Sequence, residues 1–401
     1  MERIRCPLCG NENIHYEGTM KYIDLLNGIG DEEYKQRICS CPVCNMAWSQ
    51  NTMNIEDLDN YYKFLSKYES IDAAMESDYS AQAMYLRQKE FIDDIVEDYD
   101  SVLEIGAAAG GNLNLYKEAG KTVVGIEPSS NNKRFAKKNY GIKLYDMTLD
   151  EYYDEYGGQE QYDIVFISHV LEHIVHFVEF IQKVMVLSRK YIFIELPILE
   201  EIINEEAPFA AFTNEHVNYF SVVSLKILME RCGCSLIRYT IAENKDGVLP
   251  GYPTLMSIWR GGRDEGCASK TINQEIEYSA SNIIQDYIRI NSEKVKRIQA
   301  IVDTIMISEK VAVWGAGEHT SKLLAMTDLP SKNIVKFYDS DVKKKGMTML
   351  GKKIQPFDVK DIEDGTVDTI LISTYSSEKS IKKYVDNLKI EKEFRIILLY
   401  S

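Results

Sequence analysis

Histidines accompany acidic residues in two short stretches of the sequence. His173 stands in VLEHI, and His216 directly follows Glu215 in FTNEHVNYFS. An imidazole titrates near neutral pH and can take or give a proton, while a carboxylate beside it can orient the ring or balance its charge. A positioned base typically speeds a reaction by about 10²–10⁴-fold. The pattern favours proton-transfer chemistry, with His216 oriented by Glu215 as the base. His173 is an alternative base that could instead pack or cap a helix.

Most of the cysteines lie near the N-terminus, five of the eight within the first 44 residues. Four of them form two C-x-x-C pairs, Cys6 with Cys9 and Cys41 with Cys44. Because each pair can direct two thiolates at one ion from a tight turn, the spacing predicts a tetrahedral zinc site. Cys39 is a spare thiol close enough to substitute for one of the four, and His15 is a weaker substitute. A four-thiolate site is closed, so this zinc would be structural and would stabilise a segment too short to form its own core. Reduced cysteines without a metal are the alternative.

A turn of small residues connects an apolar run to a helix-like run in VLEIGAAAGGNL, residues 102–113. Bulky side chains at such a turn would keep the backbone away from a ligand. A carboxylate at the end of the next apolar run can bind both hydroxyls of a ribose. The pattern E-x-G-x-A-x-G differs from the dinucleotide pattern G-x-G-x-x-G, and a nicotinamide-type Rossmann domain is the alternative. The candidate cofactor-binding residues here are Glu104, Gly106, Ala108, Gly110, Glu127 and Pro128.

A second glycine turn occurs in VAVWGAGEHTSKLL, residues 311–324. Its backbone N–H groups at the start of a helix could meet a phosphate. The candidate substrate-binding residues are Gly315, Gly317, Glu318, His319 and, at the end of the next apolar run, Asp339. The alternative is a degenerate Rossmann-like domain that serves packing or dimerisation.

Short Val- and Ile-rich runs alternate with amphipathic runs through most of the chain. This alternation predicts parallel sheets with helices on both faces, so that each glycine turn follows the carboxyl end of a strand. The predicted fold class is α/β, with a Rossmann-like core, a small N-terminal zinc-binding domain and a second Rossmann-like domain at the C-terminus. The predicted boundaries are 1–55 for the zinc-binding domain, 56–262 for the core, 263–307 for a linking helix and 308–401 for the C-terminal domain.

The composition limits the partners. The 401 residues are 45% hydrophobic and 27% charged, with a formal net charge of −16. This acidic balance argues against DNA or structured RNA as a substrate. No apolar stretch reaches the roughly 18 residues of a membrane span, and the N-terminus lacks the apolar core of a signal peptide. We expect a cytoplasmic monomer or homodimer that acts on a small molecule and binds neither nucleic acid nor membrane.

The core resembles the class I S-adenosylmethionine-dependent methyltransferases in its E-x-G-x-[GA]-x-G turn, in the acid of GIEPSS and in FISHVLEHI. In that family the turn lies against the methionine part of the donor, and the acid after the second strand binds the ribose. A residue after the third strand frames the adenine, which implies Asp146 and Met147 here. Ser168 and His169, at the end of the fourth strand, would lie beside the sulfonium. The resemblance implies a methyltransferase with S-adenosylmethionine as its cofactor.

Nearly the whole chain resembles the nucleotide-sugar C-methyltransferases, notably the 3-C-methyltransferases of deoxysugar pathways. The likeness combines the four-cysteine N-terminus, the core and the C-terminal domain with local matches such as Tyr79 in DYSAQAMYLRQKEF. In that family a Tyr before the core, a His after the fourth strand and a Glu-His pair serve the acceptor, which implies Tyr79, His173, Glu215 and His216 here. A 4-keto group acidifies the neighbouring C3–H, a histidine removes that proton, and the enolate carbon takes the methyl group.

Two departures from that family concern the acceptor. Thr213 stands where the family has a Tyr, and NKDGVLPGYPT stands where it has a Gly-Gly-rich segment. The expected function is C-methylation of a nucleotide-activated sugar in polysaccharide or deoxysugar biosynthesis. The alternative is O-methylation of a sugar or other small polar metabolite, with a structural C-terminal domain. A non-enzymatic scaffold is disfavoured because the donor residues and the Glu-His pair are both present. An RNA methyltransferase is disfavoured by the acidic balance.

Overall fold

A computed structural model describes residues 2–23, 33–51, 71–157, 159–204, 207–242, 252–261, 279–388 and 390–401. The chain forms two compact units, and neither is continuous in sequence. The first unit comprises Met1–Glu17, Ile38–Asn204 and Glu215–Gln285, and the second comprises Gly18–Arg37, Glu205–Asn214 and Asp286–Ser401. The domain boundaries inferred from the sequence stay a prediction.

Four short strands near the cysteine pairs form one sheet. They are β1 (His15–Ile23), β2 (Glu33–Ser40), β3 (Ala47–Ser49) and β9 (Asn218–Tyr219), and they are neighbours in that order. Strand β3 pairs antiparallel with both β2 and β9. The pairing of β3 with β9 connects the cysteine-rich segment to the stretch that follows His216.

A seven-stranded sheet forms the centre of the first unit. Its strands are β4 (Ser101–Ile105), β5 (Thr122–Ile126), β6 (Leu144–Tyr145), β7 (Tyr162–Ser168), β8 (Ser188–Pro197), β10 (Cys234–Ala242) and β11 (Thr254–Gly261). Their order is β10-β11-β8-β7-β4-β5-β6, and all neighbours are parallel except the pairs β8–β11 and β11–β10. The first strand, β4, therefore has β5 on one side and β7 on the other. Open α/β sheets bind their ligands at such a switch point, outside the carboxyl ends of the strands.

Six helices and two 3₁₀ turns accompany this sheet among the described residues. The helices are α1 (Ile71–Asp93), α2 (Gly111–Glu118), α3 (Ser130–Tyr140), α4 (Leu149–Tyr156), α5 (Phe177–Leu187) and α6 (Val222–Arg231), and the 3₁₀ turns are Leu171–His173 and Leu199–Asn204. Local sequence sets several helix starts. The Ser129 side chain accepts a hydrogen bond from the Asn132 N–H, and Thr148 and Glu151 form a capping box.

The central strands are buried on both faces. Along β4, Val102 packs into one apolar cluster, whereas Leu103 and Ile105 pack into another. Along β7, Phe166 packs into the cluster that contains Val102, and Val165 packs into the other cluster. This alternation follows from the two-residue period of a strand, and burial on both faces explains the continuous apolar runs in the sequence.

The second unit contains a six-stranded sheet. Helix α7 (Ala280–Asp303) starts in the first unit and continues into the second. The elements that follow are β12 (Val311–Trp314), α8 (Glu318–Met326), a 3₁₀ turn (Leu329–Ser331), β13 (Ile334–Tyr338), a 3₁₀ turn (Val342–Lys344), β14 (Thr348–Met349), β15 (Lys352–Gln355), α9 (Lys360–Glu363), β16 (Thr369–Ile372), α10 (Glu378–Asp386) and β17 (Arg395–Leu398). The strand order is β14-β15-β13-β12-β16-β17, with only β14–β15 antiparallel among these pairs.

The predicted α/β class with a Rossmann-like sheet is confirmed. A long helix, α7, lies between the two sheets in sequence, and residues 263–278 of the predicted linking segment lie outside the described residues. Within the described part of the chain, no helix has both the length and the hydropathy needed to span a bilayer.

Candidate active site

The turn after β4 has the backbone conformation that its small residues favour. Gly106 and Gly110 have φ values of 76° and 85°, and Ala108 has a φ of 43°. A Cβ on Gly106 would lie 2.5 Å from Cγ2 of Val170, and one on Gly110 would lie 3.1 Å from Cβ of Ala136. Backbone conformation and close packing both require these glycines, while Ala108 holds a conformation that disfavours a side chain.

The Glu127 carboxylate meets this turn from the end of β5. Its Oε2 accepts a hydrogen bond from the Ala108 N–H at 2.9 Å, and its Oε1 accepts one from the Ser129 N–H at 3.0 Å. Burial raises the pKa of Glu127, and the backbone hydrogen bonds oppose that rise. The half-buried Pro128 follows it. A carboxylate held beside the turn in this way can accept hydrogen bonds from the hydroxyls of a ribose.

Three further candidates for the cofactor site differ in their surroundings. Glu104 is buried in β4, and Nδ2 of Asn112 donates to its Oε1 at 2.9 Å. Asp146 follows β6 and accepts a hydrogen bond from Nζ of Lys133 at 2.5 Å, which lowers the pKa of this aspartate. Met147 is half-buried against the apolar cluster of the sheet. The Lys133 contact thus holds the Asp146 side chain at the edge of the sheet.

His169, at the end of β7, pairs with Glu172. Nδ1 of His169 lies 3.3 Å from Oε1 of Glu172, whose side chain is only 3% exposed. Burial acts to raise the pKa of Glu172, but the hydrogen bond from His169 and the charges of the nearby histidines lower this pKa to about 2. Burial acts to lower the pKa of His169, but its contact with Glu172 raises it above the usual value. The 3₁₀ turn after β7 therefore holds a buried, ionised carboxylate.

His173 and His216 lie next to the same carboxylate. Their rings are 4.9 Å apart at 74°, an edge-to-face arrangement. Nε2 of His173 lies 3.9 Å from Oε1 of Glu172, and its Nδ1 lies 3.1 Å from the backbone carbonyl oxygen of Glu215. A carboxylate oxygen of Glu172, a ring nitrogen of His173 and a ring nitrogen of His216 all lie within 4.8 Å of one another. The structure thus brings the two predicted histidines together and places the Glu172 carboxylate beside them, where Glu215 contributes its backbone carbonyl.

A second buried carboxylate, that of Glu195, lies near the carboxyl end of β8. It accepts hydrogen bonds from Arg87 at 2.6 Å, from Gln88 at 2.5 Å and from Thr254 at 2.5 Å. The same amide nitrogen of Gln88 donates to Oγ of Ser168 at 2.9 Å. This network connects α1 to the carboxyl ends of β7 and β8, and it fixes Ser168 next to His169.

Sequence reasoning missed Glu172, Glu195 and Arg87. Glu172 had a detectable signal, because it follows His169 by three residues and directly precedes His173, a spacing that brings side chains together on a helical turn. Glu195 and Arg87 come from distant parts of the chain and carried no comparable signal. Tyr79 lies within α1, but its side chain falls outside the described residues, so its role stays a prediction.

The two C-x-x-C turns bring four thiols together in the first unit. The Sγ atoms of Cys6 and Cys44 are 3.4 Å apart, those of Cys9 and Cys41 are 3.6 Å apart, and all four lie within 4.8 Å of one another. Tetrahedral Zn–S bonds of about 2.3 Å separate the sulfurs by about 3.8 Å. Nδ2 of Asn11 donates to Sγ of Cys41 at 3.6 Å. The donor set and its spacing therefore fit a zinc ion.

The glycine turn of the second unit repeats the geometry of the first. Gly315 has a φ of 112°, and a Cβ there would lie 2.3 Å from Cγ2 of Thr374. Oδ2 of Asp339 accepts hydrogen bonds from the Ala316 N–H at 2.9 Å and from Nζ of Lys344 at 2.8 Å. Burial acts to raise the pKa of Asp339, but the Lys344 contact lowers it. The switch point of the second sheet thus has a tight turn, a carboxylate and a cation.

The start of α8 carries the remaining predicted substrate residues. Gly317 is the N-cap, and Nζ of Lys344 would be 3.9 Å from a Cβ built there. Glu318 pairs with Lys322 at 2.9 Å. Nε2 of His319 contacts the hydroxyl of Tyr400, and burial lowers the pKa of His319 to about 3. His319 is therefore a neutral, internally bonded residue.

Comparison with known proteins identifies the activity. Residues 72–239 match the family described as "Methyltransferase domain", and residues 307–397 match the family described as "C2185-like, N-terminal". C-methyltransferase NovU of Streptomyces niveus is 24% identical over 424 residues, and the alignment covers 97% of this chain and 92% of that protein. The chain is an S-adenosylmethionine-dependent methyltransferase.

A search of solved structures finds further methyltransferases at low similarity. Magnesium protoporphyrin IX methyltransferase of Synechocystis PCC 6803 is 12% identical to this methyltransferase, with a TM-score of 0.36 and coverage of 53% of this chain and 90% of that one. The 1,6-didemethyltoxoflavin-N1-methyltransferase of Burkholderia thailandensis is 12% identical, with a TM-score of 0.37 and coverage of 54% of this chain and 96% of that one.

Proposed function

We propose that this methyltransferase transfers the methyl group to a carbon beside the keto group of a nucleotide-activated sugar. His216 is the base that removes the proton from that carbon, and His173, Glu215 and Tyr79 serve the acceptor. The observation that carries this proposal is the pair of imidazoles, 4.9 Å apart, next to the buried Glu172 carboxylate. C-methylation needs a base and stabilisation of the enolate oxygen, and this cluster supplies groups for both.

S-adenosylmethionine would bind at the carboxyl ends of the strands of the seven-stranded sheet. The residues fit this group, because Gly106 and Gly110 give the turn after β4 a left-handed backbone without side chains and the Glu127 carboxylate meets that turn. Glu127 and Pro128 would hold the ribose, and Asp146 and Met147 would frame the adenine. The candidates that would lie against the methionine part are Glu104, Gly106, Ala108 and Gly110, and Ser168 and His169 would lie beside the sulfonium.

The second unit would hold the nucleotide diphosphate of the acceptor. Gly315 gives a tight turn at the switch point of the sheet, and Lys344 supplies a cation next to it. Glu318 and Asp339 place carboxylates near the same turn, so a phosphate there depends on Lys344 and on the backbone N–H groups. We assign His319 to packing against Tyr400.

The four-cysteine cluster would hold a structural zinc ion. Its Sγ separations of 3.4 and 3.6 Å support this assignment, as does the N–H of Asn11 directed at Sγ of Cys41. All four positions of the ion would be filled by sulfur, so the zinc would stabilise the fold and take no part in methyl transfer.

The base assignment is tested by replacing His216 with alanine. Single-turnover methyl transfer to a nucleotide-linked 4-keto-6-deoxyhexose should fall by about 10²–10⁴-fold, because a positioned base contributes that much. The matched control is His176→Ala, since His176 is exposed and precedes α5 in the same part of the chain. Binding of S-adenosylhomocysteine, measured by calorimetry, should stay unchanged in both variants. Wild-type activity in His216→Ala would overturn the base assignment.

The alternative function is O-methylation of a sugar hydroxyl or of another small polar metabolite. O-methylation needs a base but no enolate stabilisation, so one histidine of the cluster would suffice. The second unit would then be structural, which the internal contacts of His319 and Glu318 favour.

A further inference from the structure

His169 has one ring nitrogen bound and the other without a partner. Nδ1 lies 3.3 Å from the Glu172 carboxylate. Nε2 is buried and has no hydrogen-bond partner among the residues that the structure describes. A buried polar atom without a partner is costly and uncommon in folded proteins. This nitrogen therefore requires a ligand that belongs to the working state of the enzyme.

The backbone holds His169 in an unfavourable conformation. Its φ of 53° lies in the left-handed region, where only a few per cent of residues other than Gly are found, with Asn, Asp and His the most frequent among them. The His169 N–H donates to the carbonyl oxygen of Glu195 at 2.9 Å, and this bond fixes the residue at the end of β7. Its neighbour Val170 packs against Gly106 in the turn after β4, since a Cβ built on Gly106 would lie only 2.5 Å from the Val170 side chain. Strain maintained at the meeting point of two strand ends is typical of functional positions.

The charges that face the His169 ring favour its protonated form. Glu172 contacts Nδ1, Glu195 and Arg87 lie further away with opposite charges, and the ring of Tyr252 meets it edge-on at 6.0 Å. Burial opposes protonation, but the Glu172 contact outweighs it and raises the pKa of His169. A protonated ring carries an N–H on both nitrogens, so Nε2 is a hydrogen-bond donor.

We propose that His169 is a further catalytic residue, whose Nε2–H binds the acceptor oxygen that becomes negative during methyl transfer, while Glu172 holds Nδ1 and thereby positions the ring. This inference rests on the proposed function, because it needs a keto acceptor. Carboxylate–imidazole pairs serve elsewhere to fix a tautomer and to stabilise an imidazolium.

Enolate formation and methyl transfer need one base and one hydrogen-bond donor, and His216 and His169 supply them. His216 takes the proton from the carbon beside the ketone, and the electron pair of that C–H bond forms a carbon–carbon double bond while the carbonyl π pair moves to oxygen. The Nε2–H of His169 donates to this enolate oxygen. The carbonyl then re-forms as the carbon bonds to the methyl group, and the electron pair of the broken S–CH₃ bond stays on sulfur to give S-adenosylhomocysteine.

Proton exchange without methyl transfer isolates the enolate step. The enzyme is mixed with S-adenosylhomocysteine and a nucleotide-linked 4-keto-6-deoxyhexose in D₂O, and loss of the proton beside the ketone is followed by NMR. His169→Asn retains a residue tolerant of the left-handed backbone and a donor towards Glu172, but removes the group at Nε2. We expect exchange to slow by about 10²–10³-fold in this variant, the usual effect of losing one oxyanion donor. His169→Gln, whose longer amide can reach towards the Nε2 position, should recover part of the rate.

The pH profile tests the role of Glu172. Glu172→Gln removes the negative charge that stabilises the imidazolium, so the alkaline limb of the exchange profile should move to lower pH by about one unit. Glu179→Gln, on the exposed face of α5, is the control and should leave this limb unchanged. A Glu172 that only stabilised the fold would lower the amount of active enzyme without moving the limb.

The outcomes separate this inference from the proposed function. Wild-type exchange in His169→Asn, together with exchange by the native enzyme, would overturn the role of His169 and leave the proposed function standing. Slow methyl transfer with normal exchange in His169→Asn would assign His169 to the sulfonium and also overturn the inference. If the native enzyme neither exchanges nor methylates any keto sugar, the proposed function fails and the inference falls with it.

Discussion

The Glu127 carboxylate accepts a hydrogen bond from the backbone N–H of Ala108 at 2.9 Å, so the acid after β5 is bonded to the turn after β4. The second unit has the same relationship, since Asp339 accepts a hydrogen bond from the Ala316 N–H at 2.9 Å. Both turns thus hold a carboxylate at the switch point of a mostly parallel sheet. They differ in their partners, because Lys344 pairs with Asp339 whereas Glu127 also accepts a hydrogen bond from the Ser129 backbone N–H.

Replacing Glu127 with alanine should weaken S-adenosylhomocysteine binding by about 10–100-fold, since two charge-assisted hydrogen bonds to a ribose would be lost. Isothermal titration calorimetry measures this effect directly. Glu118→Ala removes an exposed carboxylate from the neighbouring α2 and should bind as the native chain does. Native-like affinity in Glu127→Ala would exclude this residue from the donor site.

Gly106→Ala should lower the free energy of unfolding by about 2 kcal/mol more than Gly120→Ala does. Both glycines have similar left-handed φ values, 76° and 80°, so both variants carry the same backbone cost. A Cβ on Gly106 meets Val170 at 2.5 Å, whereas one on Gly120 meets nothing within 4 Å. Urea unfolding of the two variants therefore isolates the clash. Equal losses would mean that Val170 can move away from the turn.

Acid should remove a stabilising contribution of Glu172. Its folded-state pKa of about 2 lies below the unfolded value of 4.5, so its contribution is present above pH 4.5 and is lost as the pH falls through 2. The stability difference between the native chain and Glu172→Gln should shrink by about 3 kcal/mol across that window. Urea unfolding at a series of pH values measures this difference. A pH-independent difference would contradict an ionised Glu172.

Purified protein should contain one zinc ion per chain, bound by the four-thiol cluster. Cys44→Ser should lose this zinc and unfold at a lower temperature, because the metal provides folding free energy. Cys232→Ser is the matched control, since Cys232 is a partly buried thiol outside the cluster. Elemental analysis and calorimetric melting give the two readouts. Full zinc content in Cys44→Ser would rule out the proposed ligand set.

Local sequence predicted much of the fold. The small residues of the turn after β4, the alternation of apolar and amphipathic runs, and the spacing of the cysteine pairs are all short-range signals, and the structure has each feature at the predicted place. The grouping of Gly18–Arg37 and Glu205–Asn214 with the C-terminal segment had no such signal, because it depends on contacts between residues far apart in sequence.

The histidine cluster demonstrates the same limit within the site. The adjacency of Glu215 and His216 suggested that this carboxylate orients the ring of His216, and that role stays a prediction. The structure places the carboxylate of Glu172 next to His173 and the backbone carbonyl of Glu215 at its Nδ1. Glu172 comes close to His216 through contacts between the turn after β7 and a segment about 40 residues further along the chain, which the sequence pattern does not specify.

The position of the transferred methyl group tests the central claim most directly. The enzyme is given S-adenosylmethionine with a ¹³C-labelled methyl group and a panel of nucleotide-activated sugars, some with a 4-keto group and some with a 4-hydroxyl. Product mass and two-dimensional NMR then locate the label. We predict that the label bonds to carbon and that only keto sugars react. A label on oxygen, or reaction of the hydroxyl sugars, would contradict C-methylation through an enolate.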